Sequence, residues 1–152
     1  MKAQYLNPFL ESASFVIQQM CNVAPTRGDL DIKDVQLHDD HVWIKIGLTG
    51  QLKGDVIFGI HNQVAIRIIS AMMGGFPIQE IDEMGRSAIS ELGNMISGNA
   101  STILFNQGVA IDITPPELVD DHKVLKVNGK ALSVPLNLGE IGKLEIQVVV
   151  AQ

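Results

Sequence analysis

The stretch EIDEMGRSAISELGNMISGNASTILF, residues 80 to 105, decides the fold because it is the longest periodic segment of the chain. At the roughly 100° advance per residue of an α-helix, one set of residues falls within a band of roughly 60°. That set is Ser87, Glu91, Asn94 and Gly98. The apolar residues form a second band, centred roughly 160° away: Ile89, Leu92, Ile96, Ala100 and Ile103. We predict a helix over residues 80–105 that packs its apolar band on a sheet and presents Glu91 and Asn94 to solvent.

Two glycines inside this predicted helix need an explanation, because each costs about 1 kcal/mol relative to alanine. Close packing against a neighbouring element explains Gly93. Gly98 lies on the polar band, where it leaves a flat patch beside Asn94 that the backbone of another protein could approach. A polar band alone is typical of any amphipathic helix, and a lone Glu-x-x-Asn pair carries no functional meaning.

The residues before the long helix predict a helix, three strands and a short helix. Asn7 is expected to cap the first helix, with Pro8 at its first helical position. Alternating apolar residues predict strands over residues 30–37, 42–48 and 54–60. The short helix is predicted over residues 62–73, with Asn62 as its cap and Gly74-Gly75 at its end.

The residues after the long helix read as strands again. They are predicted over residues 109–113, 124–127, 130–136 and 143–150, with Asn128-Gly129 as a hairpin turn. The first of these stops at Pro115-Pro116, and Pro135 suggests that its own strand is an edge or carries a bulge. The order of elements resembles two related halves. Consecutive strands joined by hairpins favour an α+β fold, with an antiparallel sheet and helices on one face.

Composition limits the classes of protein that this chain can belong to. Its 152 residues are the length of one ordinary domain, and 46% apolar with 18% charged residues is enough to bury a core. The net charge of −6 argues against nucleic acid or an anionic membrane as a partner. No apolar run reaches the roughly 18 residues of a membrane span, and no secretory signal is recognisable. Cys21 is the only cysteine, which excludes a disulfide framework and favours a cytoplasmic protein. From the length we expect a single domain over residues 1–152.

The polar band carries a recognisable motif. Ser87-x3-Glu91-x2-Asn94, followed after 21 residues by Pro116, resembles the signature of the CheC/CheX/FliY chemotaxis phosphatase family. The run ELGNMISGNA, residues 91 to 100, resembles the core of that motif, and Asn7-Pro8-Phe9 and residues 144–147 are similar to CheX-type members. The resemblance therefore spans almost the whole chain and implies two pseudo-symmetric helix–strand halves.

The resemblance also implies how many sites the chain has. CheC members carry a Glu/Asn pair on the first helix as well, and the comparable residues here are Glu11 and Ser14. Because the amide is missing, we expect one active site per chain, as in CheX. FliY members have an additional switch-binding region, for which this chain has no length.

The chemistry that the resemblance implies is hydrolysis of an aspartyl phosphate on a CheY-type response regulator. Asn94 would position the attacking water and Glu91 would contact the active-site lysine of the regulator. Ser87, Gly98 and Pro116 would shape the contact with that partner. Mg²⁺ would be supplied by the regulator, so the chain is expected to need no metal or cofactor of its own, and a homodimer is implied.

Other interpretations remain open at this stage. A non-catalytic adaptor of the same fold could bind a receiver domain or a CheD-like deamidase, and a structural dimerisation module is a third possibility. His38 and His41 flank two aspartates, but a polar turn explains them better than a metal site, as it does for residues 120–122. Ser87 could be an ordinary surface serine, and Pro116 could simply end a strand. Cys21 is interpreted as a small buried residue. Packing is likewise the interpretation of three methionines: Met72, Met73 and Met84.

Overall fold

The computed structural model describes residues 3–35, 37–119 and 129–150. Within these ranges the α-helices are α1 (Asn7–Cys21), α2 (Asn62–Met72) and α3 (Glu83–Asn106). The strands in the first half of the chain are β1 (Thr26–Arg27), β2 (Asp31–Asp34), β3 (His41–Gly50) and β4 (Gly54–His61). Those in the second half are β5 (Ile111–Ile113), β6 (Glu117–Val119), β7 (Lys130–Asn137) and β8 (Lys143–Val150).

All eight of these strands join one antiparallel sheet. Its order is β1-β7-β8-β4-β3-β5, with β2 also paired to β7 and β6 also paired to β3. The central pair is β4 with β8, where Phe58 lies opposite Ile146 and Val56 opposite Val148. The prediction of an α+β fold with an antiparallel sheet is confirmed.

The sheet carries a topological two-fold between the halves of the chain. Exchanging β1 with β5, β2 with β6, β3 with β7 and β4 with β8 reproduces the same strand order in reverse. Matching hydrogen bonds support this correspondence: the Gly28 N–H donates to the Pro135 carbonyl at 2.8 Å, and the Thr114 N–H donates to the Gly47 carbonyl at 3.0 Å. Within the described residues, each half is a long helix followed by four strands, and the sequence predicted one strand too few in the first half.

The helices pack on one face of the sheet and bury a continuous core. Alternate residues of the central strands point into it, among them Ile46, Phe58 and Ile146, each at most 1% exposed. The opposite face has a smaller buried cluster around Trp43 and Ile57. Cys21 is buried at the end of α1, and burial raises the pKa of its thiol, so the side chain stays protonated at neutral pH. Its interpretation as a buried residue is confirmed.

Three predicted helix starts are wrong in detail because other residues provide the caps. Leu6 occupies the cap position of α1 without a side-chain hydrogen bond, so Asn7 is the first helical residue rather than the cap. The His61 Nδ1 atom, not Asn62, caps α2 by accepting from the Gln63 N–H at 3.1 Å. α3 begins at Glu83 instead of 80, because the Asp82 carboxylate accepts from the Gly85 N–H at 2.8 Å.

Pro135 and Pro116 affect the strands in ways that the sequence did not predict. β7 is an interior strand, so the edge interpretation of Pro135 is wrong. β2 pairs with Lys130–Ser133 and β1 with Leu136–Asn137, and Pro135 lies between them. Its missing N–H faces this gap in the pairing, where it removes no ladder hydrogen bond. After Pro116 the short strand β6 resumes pairing with β3, which the sequence did not predict. The strand predicted over residues 124–127, its turn at Asn128 and the polar group at 120–122 lie outside the described residues.

Candidate active site

α3 carries the candidate site on the side that faces away from the sheet. Ile89, Leu92 and Ile96 are each at most 1% exposed and pack into the core. Glu91 is exposed and Asn94 is half-buried, so both side chains are accessible, as predicted. Ile103 was also expected in the core but is only half-buried, and Leu104 is buried in its place. The apolar band therefore shifts by one residue at the end of the helix.

Gly93 and Gly98 of α3 are glycine for different structural reasons, as the sequence suggested. A Cβ atom at Gly93 would lie 2.9 Å from Cγ2 of Ile44, so α3 approaches β3 too closely for any side chain there. A Cβ atom at Gly98 would meet nothing within 4 Å. Gly98 therefore has no packing role within the described chain, and it leaves open space one helical turn beyond Asn94.

This difference predicts opposite effects of alanine at the two glycines. Gly93→Ala should lower the free energy of unfolding by about 1–2 kcal/mol, because overpacking against Ile44 outweighs the better helix propensity of alanine. Gly98→Ala should leave stability unchanged or raise it by up to about 1 kcal/mol. Urea unfolding followed by circular dichroism measures both. A loss of stability in Gly98→Ala would show that Gly98 has an internal packing role after all.

An open depression of about 460 Å³ runs along the exposed side of α3. It brings together four of the five residues that the motif singled out: Ser87, Glu91, Asn94 and Pro116. Gly98 is outside this lining, one turn further along the helix. The remaining lining residues were not predicted: Glu83, Arg86, Ser90 and Leu118. Glu83 and Ser90 each lie four residues before a motif residue, so helical spacing could have identified them.

The wall opposite the helix comes from the segment that contains Pro116. β6 follows this proline and pairs with β3, Leu118 lying opposite Ile44 and Glu117 opposite Lys45. Nη2 of Arg86 lies 3.5 Å from the Leu118 carbonyl oxygen and so joins α3 to β6. Pro116 lies in the break between β5 and β6, which agrees with its interpretation as a strand-ending residue, and it also lines the depression.

α1 braces α3 from the side. Ser12 is fully buried, and its hydroxyl donates to the Ile96 carbonyl oxygen at 2.5 Å. This bond reaches the backbone of α3 two residues after Asn94, on the side that faces the core. Glu11 is exposed and Ser14 is half-buried on the same helix. The α3 backbone near Asn94 is therefore held in place by α1, which limits the entropy lost when this helix binds a partner.

No cysteine or histidine is among the described residues that line the depression. No group of three His, Cys, Asp or Glu side chains within the described ranges could hold a metal ion. His41 begins β3 and His38 precedes it; their rings are 5.3 Å apart, His41 stacks on Trp43, and neither histidine lines the depression. His41 Nδ1 lies 3.0 Å from the Asp39 carbonyl oxygen, which suits the polar turn that the sequence predicted.

The methionine prediction holds for two of the three residues. Met72 and Met73 are partly buried against the core. Met84 is 68% exposed in the first turn of α3, so its interpretation as a packing residue is wrong. It follows the helix cap Asp82 by two residues, before the chain enters the part of α3 that contacts the sheet.

Comparison with known proteins decides the family. The sequence profile of the family described as chemotaxis phosphatase CheX matches residues 42–137. The chain is also 31% identical, over 140 residues, to the CheY-P phosphatase CheX of Thermotoga maritima, with 91% of this chain and 90% of that protein covered. The chain belongs to the CheX chemotaxis phosphatase family. Its identification among the CheC/CheX/FliY proteins and its enzyme class, a phosphatase of aspartyl phosphates, are thereby confirmed.

Solved structures agree with the CheX assignment. A CheC-like superfamily protein from Shewanella sp. PV-4 is 26% identical and superposes with a TM-score of 0.87, with both chains fully covered. A CheX–CheY–BeF₃–Mg²⁺ complex from Borrelia burgdorferi is 26% identical with a TM-score of 0.81, covering 99% of this chain and 100% of that one. Among the described residues of this CheX-family chain, no helix is long and apolar enough to cross a membrane.

Proposed function

We propose that this chain hydrolyses the aspartyl phosphate of a phosphorylated CheY-type response regulator, with the whole of residues 1–152 acting as one phosphatase domain. The observation that carries the proposal is the placement of Glu91 and Asn94 one helical turn apart on the open depression of α3. A depression that is lined by carboxylates and a carboxamide, with no cysteine or histidine among its described lining residues, is suited to completing a site on another protein. The relative from Thermotoga maritima, which is named a CheY-P phosphatase, supports the same substrate.

Asn94 is assigned to the attacking water. An aspartyl phosphate is a mixed anhydride, so its hydrolysis needs chiefly a water molecule that is held in line with the phosphorus atom. A carboxamide can accept one hydrogen bond from that water and donate another, and it does not titrate. The glutamine that orients water in small GTPases has the same role in phosphoryl transfer. Asn94 is half-buried and carried by a braced helix, so little motion is needed to bring it to the phosphorus.

Glu91 is assigned to the active-site lysine of the regulator. Its exposed carboxylate lies three residues before Asn94, on the same face of α3. An ion pair at Glu91 would therefore fix how far α3 approaches the regulator and in which orientation Asn94 meets the phosphoryl group. Ser87 and Pro116 line the same depression, and Gly98 would allow the regulator's backbone to approach α3. We assign these three residues to partner binding rather than to chemistry.

The metal of the reaction is assigned to the regulator. A bound Mg²⁺ would neutralise the phosphoryl oxygens there. The Borrelia burgdorferi complex, whose components include CheX, CheY, BeF₃ and Mg²⁺, supports this proposal.

Chelation should therefore abolish hydrolysis, although we propose that the isolated chain binds no metal of its own. We expect EDTA to stop phosphate release from the phosphorylated regulator and excess Mg²⁺ to restore it. Elemental analysis of the untagged, dialysed chain should give much less than one metal per chain. A stoichiometric metal in that sample would contradict the proposal and would direct attention back to His38 and His41.

We also propose a homodimer in which the sheet continues between chains. β2 lies at one edge of the sheet, and its Ile32 is 67% exposed. The unpaired backbone groups of an edge strand, with the exposed Ile32 beside them, favour pairing with a second copy.

Sedimentation velocity at micromolar concentration should show a dimer, and Ile32→Lys should shift it towards monomer. Phe76→Lys is the matched control, because Phe76 is also 67% exposed but lies in the connection between α2 and α3. A monomeric parent chain would refute the dimer. Equal effects of the two lysines would place the interface elsewhere.

A further inference from the structure

Two large apolar side chains are exposed at the two ends of α3. Met84 is 68% exposed in the first turn of the helix, and Phe105 is 69% exposed in the last turn. Within the described chain, neither side chain is among those that pack against the buried core. A single exposed apolar residue is ordinary on a protein surface, so the position of these two relative to the site decides whether they have a function.

Both side chains lie on the same face of α3 as the motif. Met84, Glu91, Gly98 and Phe105 follow one another at intervals of seven residues. Seven residues of an α-helix return to within about 20° of the same direction, so these four positions together span about 60°. Met84 and Phe105 therefore share the exposed face with Glu91 and Asn94, one before the pair and one after it.

The distance between the two apolar side chains matches the size of a protein partner. At 1.5 Å per residue, Met84 and Phe105 are about 32 Å apart along the axis, which is about the diameter of a small domain. Glu91 follows Met84 by about 11 Å, and Asn94 precedes Phe105 by about 17 Å. A Cβ atom at Gly98 would meet nothing within 4 Å, so the surface between Asn94 and Phe105 is open. A domain that is centred on the pair can reach both ends.

The depression alone is too small to bind a protein. Its lining on α3 runs from Glu83 to Asn94, about 17 Å of helix. With the roughly 10 Å width of a helix, this strip offers about 170 Å², whereas a protein–protein interface of standard size takes about 800 Å² from each partner. Aromatic residues and methionine are enriched in such interfaces, and a few anchors supply most of the binding energy. The contact must therefore extend past the depression, and α3 offers Met84 and Phe105 there.

The structure holds both ends of α3 in place. At the start, the Gly85 N–H donates to the Asp82 carboxylate at 2.8 Å. Towards the end, the Ser101 hydroxyl donates to the Ile111 carbonyl oxygen at 3.4 Å and so joins the helix to β5. Because the backbone that carries the two exposed side chains is already ordered, a partner that binds them loses less entropy.

We propose that the regulator binds along the whole exposed face of α3, with Met84 and Phe105 as apolar anchors at the two ends and Glu91 and Asn94 between them. The partner surface that fits has a charged centre and apolar side chains on both sides of it. This inference rests on the proposed function, because it takes the phosphorylated regulator as the partner. The anchors contribute to association, whereas Asn94 is assigned to hydrolysis, so the two assignments can fail separately.

The experiment measures Kd for the Mg²⁺-bound regulator loaded with beryllofluoride, which stands in for the phosphoryl group. Phe105→Ala should weaken binding about tenfold and Met84→Ala about threefold, because each removes apolar area that the complex would bury. Phe105→Leu retains most of that area and should recover most of the affinity. Leu30→Ala is the matched control and should bind like the wild-type chain. Leu30 is 43% exposed between β1 and β2, at the edge of the sheet opposite β5.

Phosphate release distinguishes binding from chemistry. Both anchor variants should raise KM, with kcat changed less than about twofold. Thermal melts should be unchanged, since both side chains are mostly exposed. Losses of affinity no larger than that of Leu30→Ala would overturn the inference. So would a change in sedimentation with an unchanged Kd, which would assign this face to a second copy of the chain.

The same two measurements separate this inference from the proposed function. A wild-type chain that binds the loaded regulator without hydrolysing the phosphorylated one, with the expected loss of affinity in Phe105→Ala, would refute the proposed function and leave the anchors standing. Hydrolysis by the wild-type chain with an unchanged Kd in both anchor variants would retain the function and refute the anchors.

Discussion

Asn94→Ala should lower kcat for hydrolysis of the phosphorylated regulator by at least about 100-fold, or about 3 kcal/mol in the transition state. The reason is that a group which positions the attacking water contributes mainly after the complex has formed. KM should therefore change by less than about threefold. Stopped-flow or steady-state phosphate release, with the regulator both below and above KM, separates the two parameters.

Two variants control this measurement. Asn99→Ala makes the same chemical change on the same helix, where Asn99 is also half-buried but outside the lining of the depression, and it should retain activity. Asn94→Asp keeps the size of the side chain and brings a negative charge towards the phosphoryl group. It should be at least as inactive as Asn94→Ala.

The folding of these variants is not expected to limit the experiment. Asn94 lies on the side of α3 away from the core, where it lines the depression. Replacing its side chain therefore removes no contact on which the fold depends. Alanine has a higher helix propensity than asparagine, so the free energy of unfolding should be unchanged or slightly larger. If Asn94→Ala is folded and hydrolyses the regulator at a near-normal rate, the catalytic assignment is wrong. The adaptor interpretation, in which the chain only binds a receiver domain or a CheD-like protein, would then replace it.

The long helix was predictable because its period, its glycines and its motif agree. Ile89, Leu92 and Ile96 repeat at helical spacing, and each is buried in the structure. Its start was less predictable. Residues 80–82 have no helix-breaking residue, but the hydrogen bond from the Gly85 N–H to the Asp82 carboxylate fixes the first turn. A capping hydrogen bond stabilises one helix start over its neighbours by about 1 kcal/mol. The spacing of apolar residues carries no information about this bond.

The short strands could not be predicted because their stability comes from their partners. β1 has two residues and β6 has three, and both are held by longer strands of the other half of the chain. Neither has an alternating pattern long enough to be distinguished from a turn. The depression forms only when β6 lies beside α3. Because β6 was not predicted, Leu118 and Arg86 could not be identified as lining residues. Motif spacing located Pro116, but it could not show that the strand resumes after it.

Glu91→Ala is the second change with a large expected effect, and it should act on binding as well as on turnover. An ion pair with the regulator's lysine would form in the bound ground state, so removing the carboxylate should raise Kd about tenfold or more. It should also lower kcat, because the lost pair would have held Asn94 in register with the phosphorus. Isothermal titration with the beryllofluoride-loaded regulator measures the first effect, and phosphate release at saturating regulator measures the second.

Glu83→Ala is the matched control for Glu91→Ala, since Glu83 is an exposed carboxylate that lines the same depression two turns earlier on α3. Both variants remove one negative charge, so both change the long-range field alike. Only Glu91→Ala should remove a direct contact, and its loss of affinity should be larger at about 50 mM than at about 500 mM salt, because counterions screen an accessible pair. Equal losses in the two variants would show that the depression attracts the regulator through its overall charge. A loss confined to Glu91 would mean that the regulator's cation binds one particular carboxylate, three residues from the amide that is proposed to place the water.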